Sequence, residues 1–426
     1  MHVNKYLYRR GGAEGYMLDV AELQRAAGHE VELFGMQHPE NPPGLTYADT
    51  FPTLVELEPP PQGGRAKVAA AARMLWSRSS EKGLAETIQR FQPDVVHCHN
   101  IYHQLSPSIL RPVAAAGIPC VMTLHDYKLA CPSYQMLDHG NLCNACVTGG
   151  PLQAARRRCK DGSFASSALL SLESSLHRLI KAYAPVTTFV CPSQFLATVM
   201  REAGVFPDRM AVINHFVVLD GAPLADRPGR GFVFGGRLSR EKGVDVLIRA
   251  VALSGVTLDI AGDGPVKAEL EALAAELAPD RITFHGRLPR DELQALMRGS
   301  VASVVPSRWH ENQPMTILES LGAGVPVIAT ALGGMPELVR DGIEGWVVPH
   351  DDPAALARTL TAVAADPVTA HAMGLAARER MLREFSSSAH LARLEEVYLR
   401  DIQGMTRRPS TTRAGGGEAD REEASA

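Results

Sequence analysis

The feature that most restricts this chain is a repeated alternation, in which short runs rich in β-forming residues are separated by longer segments of helical period. In the first half the runs are VELF (31–34), DVVHCH (94–99), PCVMTLH (119–125), TTFVCPS (187–193) and MAVINH (210–215). In the second they are GFVFGG (231–236), TLDIAG (257–262), ITFHG (282–286), ASVVPS (302–307), VPVIAT (325–330) and GWVVP (345–349). Such alternation predicts parallel sheets covered by helices on both faces. Between the two series, VLDGAPLADRPGRG (218–231) has the glycine, proline and charge of an interdomain linker. The expected class is therefore α/β, with two Rossmann-like parallel-sheet domains facing across a cleft beyond their strand ends. A length of 426 residues suits two such cores. The chain opens almost on a loop, HVNKYLYRRGGAE, so its first strand is expected to be a stub or to start upstream. At the other end, 405–426 lacks an apolar period and is expected to be disordered.

Composition removes several classes of function. A net charge of −4 gives no reason to expect a nucleic-acid partner. Nothing approaches the ~18 uninterrupted apolar residues of a spanning helix, and the start lacks a signal-peptide core, so a cytoplasmic protein is expected. Seven cysteines argue against a disulfide framework.

The sharpest motif is SRWHENQPMTILE (307–319) followed by SLGAGVPVIAT. Pro314 suits a first helical turn, Met315, Ile317, Leu318 and Leu321 form an inner face, and Gly322, Gly324 and Pro326 end the helix. Glu311 then lies just ahead of the helix and Glu319 inside it. The helix start favours an anion such as a diphosphate. A carboxylate inside the helix can accept both hydroxyls of a ribose, and one in the loop can meet a second hydroxylated ring. In GGRLSREKGVDVLIRA (235–250), glycines let the backbone approach a phosphate, and Arg237 and Lys242 can neutralise a departing diphosphate. AGDGP (261–265) and HGRLP (285–289) are turns at strand ends, and GGAE (11–14) leads into a helix reaching Ala27.

Taken together these motifs resemble the retaining GT-B glycosyltransferases often called family 4, whose E-x7-E signature matches Glu311 and Glu319 in spacing. The resemblance covers Val3 to about Gln403. It implies transfer of a sugar from a nucleotide-diphosphate donor to a hydroxyl acceptor, with retention, in polysaccharide, glycolipid or natural-product synthesis. Arg237 and Lys242 would hold the diphosphate beside Gly236, and Leu288 would contact the nucleobase. Asn312 and Glu319 would complete the donor site. Gly12 would lie beside the diphosphate, with Glu14 and Asp126 on the acceptor side, and His125 would touch the donor sugar. No cofactor is expected for catalysis, since Asp-x-Asp is absent and the cations and helix dipole supply positive charge. The implied domains are 1–217, joined by a helix near 386–403, and 232–385. His97 and His99 read as structural.

One stretch departs from the common pattern. Cys131, Cys143, Cys146 and Cys159 are spaced C-x11-C-x2-C-x12-C. They read equally as a closed structural zinc site or as four free thiols. Two basic segments, 65–82 and 156–160, read either as solvated helices or as peripheral membrane contacts reaching a lipid-linked acceptor, the first with Met74, Leu75 and Trp76 for an apolar face. A non-hydrolysing nucleotide-sugar epimerase shares the architecture, but GGRLSREKG and ENQP argue against it. A catalytically dead scaffold or zinc-dependent binding module would not need the full set of cations and glutamates.

Overall fold

The first series of runs builds β1 (His2–Val3), β2 (Leu33–Phe34), β3 (Val96–Cys98) and β4 (Cys120–Thr123). A small antiparallel hairpin follows, β5 (Leu137–Asp138) and β6 (Asn141–Leu142), and then β7 (Val186–Cys191) and β8 (Met210–Val212). This computed structural model describes residues 1–57, 62–219, 221 and 223–406, so the tail from 407 and linker positions 220 and 222 lie outside the described residues. The sheet order is β2-β1-β3-β4-β7-β8, every pairing parallel. The second series gives β9 (Phe232–Gly235), β10 (Leu258–Ala261), β11 (Ile282–Gly286), β12 (Ala302–Val305), β13 (Val327–Thr330) and β14 (Gly345–Val348). Their order is β11-β10-β9-β12-β13-β14, also parallel. Each order reverses once, between β1 and β3 and between β9 and β12, and a ligand crevice opens past the strand ends at such a reversal.

Strands β3, β4, β9, β12 and β13 are buried at every position, because helices cover both faces of each sheet. In the first sheet Phe34, Leu84, Ile109 and Phe189 form the core, each burial stabilising by about 1.5–3 kcal/mol. The first strand is indeed a stub of two residues.

The linker is not a loose tether. Leu219 and Ala225 are buried, Ala225 N–H donates to Ala323 O (2.9 Å), and Arg230 N–H donates to Gly299 O (2.8 Å). Its apolar residues pack on the second sheet's helices, a contact its Gly/Pro composition did not suggest. The chain crosses back at Phe385, and Val217 N–H donates to Phe385 O (3.0 Å), so the two crossings run side by side. The last helix, Ser387–Thr406, returns to the first sheet, where Leu394 and Val397 pack with Tyr16, Val121 and Val190. Asp401 there accepts from Thr187 (2.6 Å) and Thr188 (2.7 Å).

The basic segment 65–82 runs through nearly all of one helix, Gly64–Leu75, and into the start of the next, Arg78–Phe91. Met74 is buried and Trp76 half-buried, its indole N–H on Glu81 (2.9 Å). Of the apolar trio, Met74 packs inward, while Leu75 and Trp76 keep part of their surface exposed.

Candidate active site

Glu311 sits in the loop after β12, at the reversal point of the second sheet, and only 7% of its side chain is exposed. Its Oε1 accepts from Lys242 Nζ (2.7 Å) and from Ser307 Oγ (2.7 Å). Burial alone would raise this carboxyl, but the Lys242 ammonium and the Ser307 hydroxyl outweigh it and hold the group ionised below the usual glutamate range. Gly333 explains how the loop closes so tightly, since a Cβ there would stand 2.2 Å from Glu311 O and its φ is +61°. Lys242 ends a single 3-10 turn, Arg240–Lys242, and its ammonium also lies 5.5 Å from the Trp309 ring.

The loop carrying Arg237 is fixed by its glycines. Gly236 N–H donates to Ala261 O (3.0 Å) and Gly262 N–H to Gly286 O (2.7 Å), which ties the ends of β9, β10 and β11 together. A Cβ on Gly262 would come 1.8 Å from Gly236 O, so the two loops meet because position 262 has no side chain. Arg237 itself is exposed and has no side-chain partner among the described residues. Arg240, its neighbour in the loop, pairs with Glu269 (2.9 Å).

The helix Met315–Gly322 begins directly after Pro314, which acts as its extended N-cap rather than its first turn. Thr316 Oγ1 donates to Gly235 O (3.2 Å), seating the first turn of this helix against the Gly235–Arg237 loop. Glu319 lies one turn in and faces Arg290 at 3.4 Å. Its pKa is raised, by burial first, against the opposing pull of Arg290. Leu288 is half-buried in the loop before the helix Arg290–Gly299, which carries Arg290.

Asn312 connects the two sheets. Its Nδ2 donates to Leu124 O (3.1 Å), and its Oδ1 accepts from Ser193 Oγ (2.9 Å). That hydroxyl also caps the helix Gln194–Glu202 by accepting from Leu196 N–H (3.2 Å). Two further bridges escaped the sequence reading: Gln313 Oε1 accepts from His215 N–H (2.5 Å), and Glu337 accepts from Gln194 N–H and Phe195 N–H, both 2.7 Å. The only available signal for Glu337 was its proximity to GG at 333–334.

On the amino-terminal side, the helix Gly12–Ala26 begins inside the GGAE motif, with Gly11 as N-cap. Gly12 is exposed and Glu14 buried. His125 is half-buried just past β4, one residue from the Asn312 contact at Leu124. Burial lowers its pKa to about 3, so it is neutral. His215 stacks on it (5.5 Å, 24°) with a buried Nδ1 that lacks a protein partner. Asp126 beside it is half-buried, and its Oδ1 accepts from Lys128 N–H (2.8 Å), closing the local turn. His97 and His99 are buried in side-chain hydrogen bonds, with His99 Nδ1 3.1 Å from His125 Nε2. His99 is thus fully buried and in direct contact with His125.

The cysteine loop surrounds the β5–β6 hairpin. Cys131 and Cys146 are buried and hydrogen-bonded to each other, while Cys143 and Cys159 are half-buried. Among the described residues no three of these sulphurs lie within 4.8 Å of one another, although Cys131, Cys143 and Cys159 all act electrostatically on Cys146.

Comparison with known proteins agrees with this geometry. A profile described as Glycosyltransferase Family 4 matches residues 10–220, and one described as Glycosyl transferases group 1 matches 224–380. The chain is 30% identical over 332 residues to 2-deoxystreptamine glucosyltransferase from Streptomyces kanamyceticus, covering 75% of this chain and 80% of that protein. The chain belongs to glycosyltransferase family 4. The family's GT-B fold is shared with sucrose-phosphate synthase from Thermosynechococcus elongatus (TM-score 0.69, 19% identity, 95% and 98% of the two chains). It is shared also with Anabaena HepE in complex with UDP (TM-score 0.64, 18% identity, 94% and 99%). As a family 4 protein the chain is a glycosyltransferase, and among its described residues no helix is long and apolar enough to cross a membrane.

Proposed function

We propose that this glycosyltransferase moves a sugar from a nucleoside-diphosphate donor to a hydroxyl acceptor with retention of anomeric configuration. The observation that carries the reading is the Lys242–Glu311 pair, buried at the strand reversal with the unpartnered Arg237 in the adjoining loop. An ordered cation beside a free one, next to a helix start, is the arrangement that stabilises a departing diphosphate. Neighbours of the same fold have been solved with UDP and with UDP-glucose, which supports a sugar nucleotide as donor.

In this reading Arg237, Lys242 and the start of the helix Met315–Gly322 neutralise the leaving group without requiring a divalent ion. Gly236 and Gly12 let backbone approach the phosphates, Leu288 meets the base, and Glu319 accepts the ribose hydroxyls. Glu311 and His125 flank the sugar ring as it gains oxocarbenium character, and the diphosphate takes the acceptor's proton on the same face. Glu14 lies on the acceptor side. Residues 1–217 with the returning helix form the acceptor half, and 232–385 the donor half. The paired crossings at Val217 and Phe385 are the hinge on which they close, with Asn312 bridging the closed form.

For a lipid-linked acceptor, support shifts within the basic segments: exposed Leu152 shares a helix face with Arg156, whereas Met74 is buried. Thermal unfolding with a panel of UDP-, GDP- and ADP-sugars tests the donor assignment. One nucleotide class should raise the melting temperature and its sugar should be released in the presence of an acceptor hydroxyl. No stabilisation by any of them would refute the reading.

A further inference from the structure

His125 is the end of a hydrogen-bonded file whose direction is set by the Gln24 amide. His390 Nδ1 lies 2.8 Å from Asn214 O, a backbone carbonyl that can only accept. A neutral imidazole carries one N–H, so His390 holds its proton on Nδ1 and accepts at Nε2 from Tyr16 O–H (3.0 Å). The anchor of the file is Gln24, whose Nε2 donates to Tyr398 Oη (3.2 Å) and whose Oε1 can only accept, while His97 Nε2 stands 2.8 Å from Thr123 Oγ1. His97 Nδ1 accepts from Tyr398 O–H (2.6 Å). Gln24 Oε1 accepts from His2 Nε2–H (2.8 Å), His2 Nδ1 from His99 Nε2–H (3.0 Å), and His99 Nδ1 from His125 Nε2–H (3.1 Å). Each link leaves one direction for the next. At His125 the file stops, with Nδ1 lacking a protein partner among the described residues.

Every imidazole of the file is neutral. Burial lowers His2 and His125 to about 3, His390 to about 4, and His97 and His99 well below the ordinary range. His2, His97 and His99 bring ring nitrogens within 4.8 Å of one another, which is metal-site spacing. Yet all six of those nitrogens already have hydrogen-bond partners, so no lone pair is left to aim at a shared ion.

We propose that His99 and His2 are positioning residues: the file holds His125 in the Nε2–H tautomer, so that its Nδ1 offers a lone pair and never a proton to the ligand cleft. Resting on the proposed function, the consequence is that His125 accepts a hydrogen bond from a hydroxyl of the bound sugar. It cannot protonate the departing diphosphate, and that role passes to the acceptor's own proton.

The test is two-bond ¹⁵N–¹H correlation spectroscopy on ligand-free, full-length, histidine-labelled protein, with His125 assigned by its loss in His125→Gln. The expected result is one tautomer at His125, unprotonated at Nδ1. His99→Leu and His99→Asn leave side chains of similar size, but only Asn places an acceptor oxygen near the lost Nδ1. The Leu variant should lose the single-tautomer signature and the Asn variant should restore it. A protonated Nδ1 in the wild type, or indistinguishable spectra for the two variants, would overturn the proposal. Because no ligand is present, failure of every sugar nucleotide to bind would sink the functional reading and leave the tautomer result standing on its own.

Discussion

Lys242 Nζ stands 2.7 Å from Glu311 Oε1, with 24% of the lysine side chain and 7% of the glutamate exposed. Removing the lysine therefore strands a carboxylate that is nearly out of water. Lys242→Met should destabilise by about 2–4 kcal/mol, somewhat less than the roughly 3–5 kcal/mol of a fully buried broken pair because the ammonium keeps some solvent. The pH dependence has a defined sign. Glu311 is depressed in the folded state, so the pair's contribution is present at neutral pH and is lost as pH falls through that depressed value. The melting-temperature gap between wild type and variant should thus narrow once pH drops below about 4.3, the ordinary glutamate value. A gap that stays constant across that range would show that the pair is not what holds Glu311 ionised.

Arg237 has the opposite character, exposed and without a partner among the described residues. Nothing in the fold depends on its charge, so Arg237→Ala should leave stability within about 0.5 kcal/mol of wild type. If it stabilises the leaving diphosphate, turnover at saturating donor should fall about a hundredfold, the usual loss for one preorganised donor to a developing charge. Arg237→Lys should recover part of it, since the point charge returns without the fork. Kinetics of nucleoside-diphosphate release decide this, and wild-type turnover in the Ala variant would remove Arg237 from the site.

Glu319 offers a binding test separate from chemistry. Its pKa is raised by burial, with Arg290 pulling the other way. As a ribose acceptor it works ionised, so nucleotide affinity should weaken as pH falls through that raised value. Glu319→Gln should bind about tenfold more weakly, by the loss of a charged hydrogen bond, and its affinity should be flat over the same range. Calorimetric titration with the nucleotide selected by the panel would show this, and parallel pH profiles for the two proteins would contradict it.

Much of the architecture was legible because parallel strands buried on both faces leave unbroken apolar runs such as FVFG and VIAT. Glu311, Lys242 and Arg237 were legible because loops at strand ends keep their chemistry in short local motifs. Asn312, Gln313 and Glu337 bridge residues more than ninety positions away, and no local pattern records that Glu337 caps a helix of the other half. The histidine file was invisible for the same reason, since His2, His97 and His390 meet only after β1, β3 and the returning helix assemble. The cysteines were legible as a group, since residues 131, 143, 146 and 159 are electrostatic neighbours in the fold.

The stretch after β4 is anchored by a buried charge cluster that no motif announced. Lys128 Nζ lies 2.8 Å from Glu173 Oε2, His103 Nδ1 lies 3.0 Å from Glu173 Oε1, and the Lys128 and Glu173 side chains are 5% and 2% exposed. Burial would raise Glu173, but Lys128 and His103 prevail and lower it to about 2. Stability from this carboxylate is therefore fully present above about 4.3, the unfolded value, and is lost as pH falls toward 2. Replacing one partner leaves the other buried and unpaired, so Glu173→Leu and Lys128→Met should each cost about 3–5 kcal/mol at neutral pH. Both substitutions together remove both desolvation costs, and the double variant should be more stable than the sum of the singles by at least about 2 kcal/mol. Urea midpoints for the four proteins close the cycle. Strict additivity would mean that the cluster is a set of independent contacts rather than a coupled pair.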